Sequence, residues 1–149
     1  MEKEDVRRTL YELDCARRSL LQPYFVGIGL TIGQGQPRIL MCLLQREPMT
    51  QRELADACHL DAATMSRTLD RLQEAGLLQR TPKPGSRRSY HVVLTEEGRR
   101  KAVLVQKGFA RVDEVLWRGI SEREMAPALD TLRRMLENFR GAQDETLSP

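Results

Sequence analysis

Two helix-start signals lie close together in the middle of the chain, and they constrain the fold more than any other feature. Thr50 with Glu53 forms a capping box, in which two side chains satisfy free backbone N–H groups at a helix start. Asp61 is a second N-cap candidate, only eleven positions after Thr50. The first helix must therefore end near Ala57, and the second ends at Gly76 with a buried stripe of Met65, Leu69 and Leu72. Two short helices joined by a few residues make a helix-turn-helix.

A β-hairpin with a basic tip follows this pair of helices. The segments GLLQRT and SYHVVLT predict two strands, and Tyr90, Val92 and Leu94 occupy alternate positions in the second of them. Between the strands, residues 82–88 contain a Pro-Gly turn and two adjacent arginines. The hairpin therefore presents cations at its tip.

Long helices are predicted on both sides of this segment. Apolar residues recur at helical spacing from Glu4 to about Phe25, where we expect Pro23 to kink or end the helix. Four glycines between residues 27 and 36 mark a break, and a second helix begins around Gln34 and Pro37.

Two more amphipathic helices follow the hairpin. Thr95 is the expected N-cap of the first, although Gly98 weakens its first turn, and the capping box of Ser121 and Glu124 begins the second. Their apolar stripes repeat at intervals of three and four residues, in Val105, Phe109, Val112 and Leu116, and in Met125, Leu129, Leu132, Leu136 and Phe139. The order of elements predicts a mainly α fold (α+β), a winged helix-turn-helix with long helices at both ends.

The positive charge of the chain is concentrated in one segment. The net charge is +3, whereas residues 62–91 contain six cations and two acids and carry 6 − 2 = +4. All other residues together therefore sum to 3 − 4 = −1. A localised cationic surface of this kind is typical of a protein that binds nucleic acid.

Composition excludes several other classes of protein. No apolar stretch approaches the roughly 18 residues of a membrane span, and the charged start MEKEDVRRTLYEL lacks a secretory signal, so we expect a cytoplasmic protein. Three widely spaced cysteines, Cys15, Cys42 and Cys58, suit a reducing compartment. The chain has neither a nucleophile motif nor a phosphate-binding glycine loop, and we expect no enzyme, cofactor or metal.

The second helix of a helix-turn-helix presents its N-terminal residues to base edges in the major groove. With the stripe of Met65 facing inward, the outward residues near its start include small ones, which let the helix approach the groove floor. The wing arginines are placed to reach the flanking minor groove and to neutralise phosphates. The predicted DNA-binding residues are Ala63, Thr64, Ser66, Arg67, Arg71, Lys83, Arg87 and Arg88.

The run LADACHLDAATMSRTLDRLQEAGLLQRTPKPGSRRSYHVVLTEEGR resembles the winged helix-turn-helix of the MarR family of bacterial transcription regulators. The resemblance extends upstream through GLTIGQGQPRILMCLL and covers roughly Glu4 to Phe139. Its most specific parts are TMSRTLDRL, the GLL-x-R exit and the wing strand ending V-x-L-T-x-x-G. The family usually has an aspartate two residues before the wing arginine. Ser86 stands at that position, before Arg88.

The resemblance implies a homodimer whose first and last helices interlock, and which binds a pseudo-palindromic operator in double-stranded DNA. It also implies a repressor that releases DNA when a small apolar or aromatic effector binds between the dimer helices and the reading domain, lined by residues from Leu10 to Tyr24 and by the second helix. The corresponding domains are residues 1–30 (N-terminal dimerisation helix), 31–98 (winged helix-turn-helix), 99–140 (C-terminal dimerisation helices) and 141–149 (flexible tail).

Other readings of the sequence stay open. The winged helix could be a protein-interaction module, or the terminal stripes could pack within one monomer. The family also contains thiol-based redox sensors, and Cys15 on the first helix is the candidate thiol, with arginines nearby that could lower its pKa. A passive, buried thiol is the plainer reading of Cys15. Cys42 is read as a core residue, and Cys58 beside His59 is too small a set for a metal site.

Overall fold

The computed structural model of the chain describes residues 2–143. The flexible tail predicted from residue 141 lies outside the described residues from 144 onward, while Gly141 ends the last helix and a turn follows at 142–143. Contacts divide the chain into two compact units, and the boundary falls between Val112 and Asp113. The domain boundaries drawn from the sequence stay predictions.

Helices dominate the described part of the chain. Residues 2–143 form six α-helices, namely α1 (Lys3–Gly27), α2 (Gln36–Gln45), α3 (Gln51–Cys58), α4 (Ala62–Glu74), α5 (Glu96–Leu116) and α6 (Glu122–Gly141). A short 3-10 turn (Ile32–Gln34) precedes α2. The strands are β1 (Met49–Thr50), β2 (Leu78–Pro82) and β3 (Tyr90–Leu94). The predicted mainly α fold with a winged helix-turn-helix is confirmed. None of the helices in the described range is both long and apolar enough to cross a membrane.

The helix starts follow the local signals in the sequence. Thr50 and Glu53 form the capping box of α3, with the Glu53 N–H donating to the Thr50 hydroxyl at 3.2 Å and the Thr50 N–H donating to Glu53 Oε2 at 2.8 Å. Asp61 caps α4, and Ser121 with Glu124 forms the capping box of α6. Each of these bonds satisfies an N–H group that the helix itself leaves without a partner.

Pro23 neither ends α1 nor separates its buried residues, because the helix continues through it to Gly27. Proline removes one intrahelical hydrogen bond. Leu21 and Phe25, on either side of it, are both buried, so core packing stabilises this turn. Of the two alternatives drawn from the sequence, a helix end at Pro23 is wrong and a kink there stays a prediction.

The three strands form one antiparallel sheet in the order β1-β3-β2. Leu78 pairs with Leu94 and Pro82 with Tyr90 in the β2–β3 hairpin, while Met49 of β1 pairs with Val92. The sequence did not indicate β1, because two residues are too few to show the alternation of a strand. β1 joins the start of α3 directly to the wing.

The first unit has a continuous apolar core built mainly from α2, α3, α4 and the sheet. Its fully buried side chains are Phe25, Ile39, Leu40, Leu43, Leu54, Met65, Leu69, Leu72, Leu78, Val92 and Val105, with the polar Thr68 among them. The predicted apolar stripe of α4 is therefore buried as expected, and the opposite face of that helix is turned toward solvent.

Helices α1 and α5 pack closely where a glycine removes a side chain. A β-carbon at Gly108 would lie 2.5 Å from Cε1 of Tyr24. The Tyr24 hydroxyl donates a hydrogen bond to the Leu104 carbonyl at 2.6 Å, and the rings of Phe25 and Phe109 meet edge to face at 5.4 Å. This contact joins α1 to α5 within the first unit.

Helix α6, taken by itself in the second unit, has no buried residue. Its apolar stripe of Leu129, Leu132, Leu136 and Phe139 is between 43% and 74% exposed. Scattered exposed apolar residues are ordinary, but a stripe along one helix face indicates a surface that another element covers.

Candidate nucleic-acid interface

The N-terminus of α4 is organised by one carboxylate. Asp61 accepts hydrogen bonds from the Thr64 N–H at 2.8 Å and from the Thr64 hydroxyl at 2.8 Å. These two donors, with a further contribution from the charge of Arg67, hold the pKa of Asp61 below its usual value. Arg67 Nη2 in turn donates to the Thr64 hydroxyl oxygen at 3.3 Å. The chain from Asp61 through Thr64 to Arg67 therefore orients the guanidinium group.

The role predicted for Thr64 changes in detail once this network is included. Its single hydroxyl hydrogen is donated to Asp61, so the side chain is available to a ligand only as an acceptor. Of the predicted residues near the start of α4, Ala63 and Arg67 are exposed and Thr64 and Ser66 are half-buried, while Arg71 is exposed one turn further on. The structure thus places the predicted residues of α4 together along one side of the helix.

Thr68 anchors α4 from its buried side, a role that the sequence analysis missed. Its hydroxyl lies 3.0 Å from the carbonyl oxygen of Gln34 and 2.9 Å from that of Thr64. A buried hydroxyl must find such partners, because leaving it without one costs about 1–3 kcal/mol. The sequence signal for this buried position was that Thr68 directly precedes Leu69, a residue of the apolar stripe.

Arg80 is removed from the set of cations available to a ligand. Its guanidinium pairs with the Asp70 carboxylate through Nη2, and Nε donates to Gln73 Oε1 at 3.1 Å. The side chain is only 20% exposed. The pair ties β2 to α4, the second helix of the helix-turn-helix and hence its recognition helix, so Arg80 acts first as a link between the wing and that helix.

The predicted wing cations behave differently. Together with two arginines of α4 they form a group of five cations, namely Arg67, Arg71, Lys83, Arg87 and Arg88. Within residues 2–143, none of these five takes part in an ion pair. All five side chains are exposed. Their charge is therefore directed to solvent and available to a polyanion.

Ser86 orders the tip of the wing through its hydroxyl. The Ser86 oxygen accepts hydrogen bonds from the backbone N–H groups of Ser89 at 3.2 Å and Arg88 at 3.4 Å, and Gly85 before it adopts a left-handed φ of 81°. Serine side chains commonly close turns in this way. The hydroxyl thus fixes the backbone at Arg88, although it supplies no carboxylate to pair with the guanidinium.

A groove runs between α3, the start of α4 and the wing. The cavity has a volume of about 870 Å³, and its cationic lining residues are Arg52, Arg80, Lys83 and Arg88. Neither Arg71 nor Arg87 lines it. Sequence reasoning missed Arg52, which is exposed in the first turn of α3; its only signal was a position two residues after the Thr50 cap. The groove joins Lys83 and Arg88 to the helix-turn-helix.

The cysteines form no metal cluster in the part of the chain that the structure describes, where no group of three or more potential ligands occurs. Cys15 is exposed on α1, so the reading of Cys15 as a buried thiol is wrong. A hydrogen bond with Cys15 raises the pKa of the Tyr11 hydroxyl. Cys58 is buried whereas His59 is exposed, so these neighbours do not face a common site.

Comparisons with known proteins agree with this geometry. The sequence pattern of the MarR family matches residues 32–90, which contain the helix-turn-helix and most of the wing. The transcriptional repressor NicR of Pseudomonas putida is 30% identical over 105 residues, 70% of this chain and 66% of the relative. The transcriptional regulator YdgJ of Bacillus subtilis is 27% identical over 112 residues, 75% of this chain and 68% of the relative.

Solved structures show the same fold. A MarR transcriptional regulator from Methanosarcina mazei superposes with a TM-score of 0.81 at 25% identity, covering 95% of this chain and 100% of the other. A point mutant of MarR from E. coli, solved in complex with operator DNA, superposes with a TM-score of 0.78 at 22% identity, covering 89% of this chain and 94% of the other. With the capped recognition helix and the basic wing in the positions described above, the chain belongs to the MarR family of DNA-binding transcriptional regulators.

Proposed function

We propose that this chain forms a homodimer that binds a pseudo-palindromic DNA operator and represses transcription until a small apolar or aromatic effector releases it. We infer a cytoplasmic location, because a transcriptional regulator works where the chromosome is.

The observation that carries the DNA-binding part is the placement of five exposed cations outside any ion pair of the described residues. Arg67 and Arg71 extend from α4, while Lys83, Arg87 and Arg88 extend from the wing. Arginine and lysine that contact phosphates release condensed counterions, which supplies most of the affinity for any duplex. Arg67, held by Thr64, is the residue we assign to a base edge, since a bidentate contact with guanine is worth about 1–3 kcal/mol of discrimination.

Exposed apolar surface on the first helix and on the last helix supports the dimer. In the first unit, α1 exposes apolar side chains including Leu10, Leu13 and Leu20, each between 39% and 50% exposed. In the second unit, the α6 stripe of Leu132 and Leu136 is similarly open. A second copy would cover both surfaces, and two-fold symmetry would then present two recognition helices to successive turns of a duplex.

A second cavity in the first unit supports the effector. It has a volume of about 260 Å³ and is lined by the aromatic rings of Phe25 and Phe109, by Leu21 and by Arg38. Arg17 and Arg18 also line it, but both pair with Asp14 at 2.7–2.8 Å. A cavity that combines two aromatic rings with one arginine outside those pairs favours an aromatic compound that carries a negative charge. The repressor role is supported by the similarity to NicR, which is itself a repressor.

Fluorescence anisotropy with the upstream intergenic DNA of the gene tests the proposal. The full chain should bind that duplex roughly a thousandfold more tightly than a scrambled duplex of equal length and composition. Equal affinity for both duplexes would contradict sequence-specific binding. Light scattering on the free protein should give twice the mass of one chain, and a mass of one chain would contradict the dimer.

The effector part has its own measurement. Benzoate added to the complex should lower the anisotropy, whereas benzyl alcohol, a neutral ring of similar size, should act less strongly. Replacement of Arg38 with alanine should remove that difference. An identical response to both compounds in the unaltered protein would contradict an anionic ligand in this cavity.

The competing reading, a protein-interaction winged helix, is less well supported. A docking wing should present apolar side chains, but the exposed tip consists mainly of Lys83, Arg87 and Arg88. Thiol-based sensing through Cys15 is less well supported, because the neighbouring Arg17 and Arg18 pair with Asp14.

A further inference from the structure

Two cysteines that are distant in sequence meet between α2 and α3. The sulfur atoms of Cys42 and Cys58 are 3.8 Å apart. Cys42 is half-buried on α2, and Cys58 is buried as the last residue of α3. Both belong to the core or pack against it. Either sulfur can donate its hydrogen to the other at this separation.

One thiol of the pair is activated by the other. The hydrogen bond from the Cys58 thiol, with a further contribution from the charge of Arg38, lowers the pKa of Cys42 to about 7. The same shared proton and burial raise the pKa of Cys58. A substantial fraction of Cys42 is therefore thiolate near neutral pH, and the thiolate is the nucleophilic form of cysteine.

Neither thiol is sealed inside the core, because Cys42 is only half-buried and Cys58 borders a cavity that Cys42 does not line. Cys58 lines the cavity of about 260 Å³, together with Gly33, Gly35 and Arg38. That volume is several times the roughly 30 Å³ that one water molecule occupies in the liquid, so a molecule the size of hydrogen peroxide fits. The guanidinium group of Arg38, which lies outside the ion pairs with Asp14, also favours the negative charge that develops on the departing oxygen.

We propose that Cys42 and Cys58 are a redox modification site, in which a hydroperoxide converts the two thiols into an intramolecular disulfide that weakens DNA binding. Cys42 thiolate attacks the peroxide oxygen, which breaks the O–O bond and leaves a sulfenic acid, with one molecule of water or alcohol released after proton transfer. The Cys58 sulfur then attacks the Cys42 sulfur, its proton leaves with the sulfenic hydroxyl as water, and the S–S bond forms. The two thiols supply the two electrons that reduce the peroxide.

The disulfide would act on the recognition helix through a short turn. Its formation requires the sulfurs to approach by roughly 1.8 Å, to a bond of about 2.05 Å. Only two residues, His59 and Leu60, separate Cys58 from the Asp61 cap of α4, and His59 is already in the left-handed region with a φ of 53°. Leu60 lines both the cavity beside Cys58 and the groove beside the wing. Movement at the end of α3 therefore reaches the start of α4.

Disulfide formation and its effect on DNA are separable in the experiment. The effect on DNA rests on the proposed function, whereas formation of the bond does not. The Cys15→Ser variant of the full chain serves as the parent, because it removes the exposed thiol that could cross-link two copies. Hydrogen peroxide is added at neutral pH, the protein is digested without reduction, and peptides are identified by mass spectrometry.

The expected product is a peptide pair joined through Cys42 and Cys58, two hydrogen atoms lighter than the free peptides and separated by dithiothreitol. Adding Cys42→Ser or Cys58→Ser to the parent should abolish it, and circular dichroism checks that these variants remain folded. The unaltered chain must give the same pair, so the result does not depend on any variant. Recovery of sulfinic or sulfonic acid at both cysteines without the linked pair would overturn the site.

DNA affinity is measured on the same samples. Oxidation of the parent should weaken operator binding by about fivefold or more, the lower range of allosteric couplings, and dithiothreitol should restore it. Neither double variant should respond to peroxide. A disulfide that forms without change in affinity would overturn the coupling, while failure of the reduced parent to bind DNA would contradict the proposed function alone.

Discussion

Gly98 at the start of α5 lies directly against the carbonyl of Leu77, so that a β-carbon at residue 98 would fall 1.7 Å from the Leu77 oxygen. Two hydrogen bonds close the same junction. The Thr95 N–H donates to the Leu77 oxygen at 3.1 Å, and the Thr95 hydroxyl accepts from the Gly98 N–H at 3.0 Å. The glycine that weakens the first turn of α5 is therefore required to seat that helix against the start of the wing.

Replacement of Gly98 with alanine should destabilise the protein by about 3 kcal/mol, because the obstructing atom is backbone and cannot rotate away. The free energy of unfolding in urea measures the change. Gly27→Ala is the matched control, since it is also helical and a β-carbon there would meet nothing within 4 Å. The control should be neutral or slightly stabilising, and an equal loss in both variants would contradict the steric explanation.

Replacement of Arg88 with alanine should weaken binding to every duplex and reduce the slope of log K against log salt by about one unit. The physical reason is the loss of one phosphate contact from the wing. Anisotropy titrations at four salt concentrations measure the slope. Arg7→Ala, on α1 and paired with Glu4, should leave the slope unchanged. If Arg88→Ala also leaves it unchanged, the wing does not neutralise phosphate.

Acid should destabilise the capped helices in a predictable direction. The folded-state pKa of Asp61 is depressed, first by the N–H and then by the hydroxyl of Thr64. A depressed carboxyl contributes stability that is fully present above its unfolded pKa of about 3.9 and is lost as pH falls through the lower, folded pKa. Glu53 and Glu124 are shifted in the same direction by their own caps.

Asp61→Asn isolates this effect, because asparagine still caps a helix but carries no charge. Between pH 5 and roughly pH 3, the thermal midpoint should fall less steeply in Asp61→Asn than in the unaltered chain, as followed by circular dichroism. Asp56→Asn, an exposed acid of α3, should retain the full slope. Parallel curves for all three proteins would show that the Asp61 carboxylate does not contribute through its ionisation.

Introducing charge into the α6 stripe should separate the proposed dimer. Leu136→Glu places a carboxylate on a face that is apolar and open in the single chain, and burying an unpaired charge between two copies costs several kcal/mol. Light scattering after size exclusion should show one chain instead of two. Arg134→Glu introduces the same side chain on the opposite side of α6 and should stay dimeric. A dimeric Leu136→Glu protein would contradict this interface.

Much of the architecture could be predicted because its causes are local. The caps at Thr50, Asp61 and Ser121 each involve residues three apart, and the structure contains all three. The winged helix-turn-helix and the resemblance to the MarR family are confirmed as well. The DNA-contacting role of Arg67, Arg88 and the other named residues stays a prediction, which the titrations above address.

Other features depended on how distant segments pack. Pro23 indicates a kink or a helix stop in the sequence, but the burial of Leu21 and Phe25 outweighs the hydrogen bond that proline removes. Arg80 counts as an available cation in the sequence, and only the fold brings it to Asp70 and Gln73.

Local sequence encodes the starts of the capped helices, the apolar faces of those helices and the place where positive charge is concentrated, because these properties arise within a few neighbouring residues. The tertiary structure alone decided that Cys42 lies beside Cys58, that Gly98 must be glycine and that Arg52 joins the wing groove. Those relationships depend on the distances between packed helices and strands, and no period or cap in the chain encodes such distances.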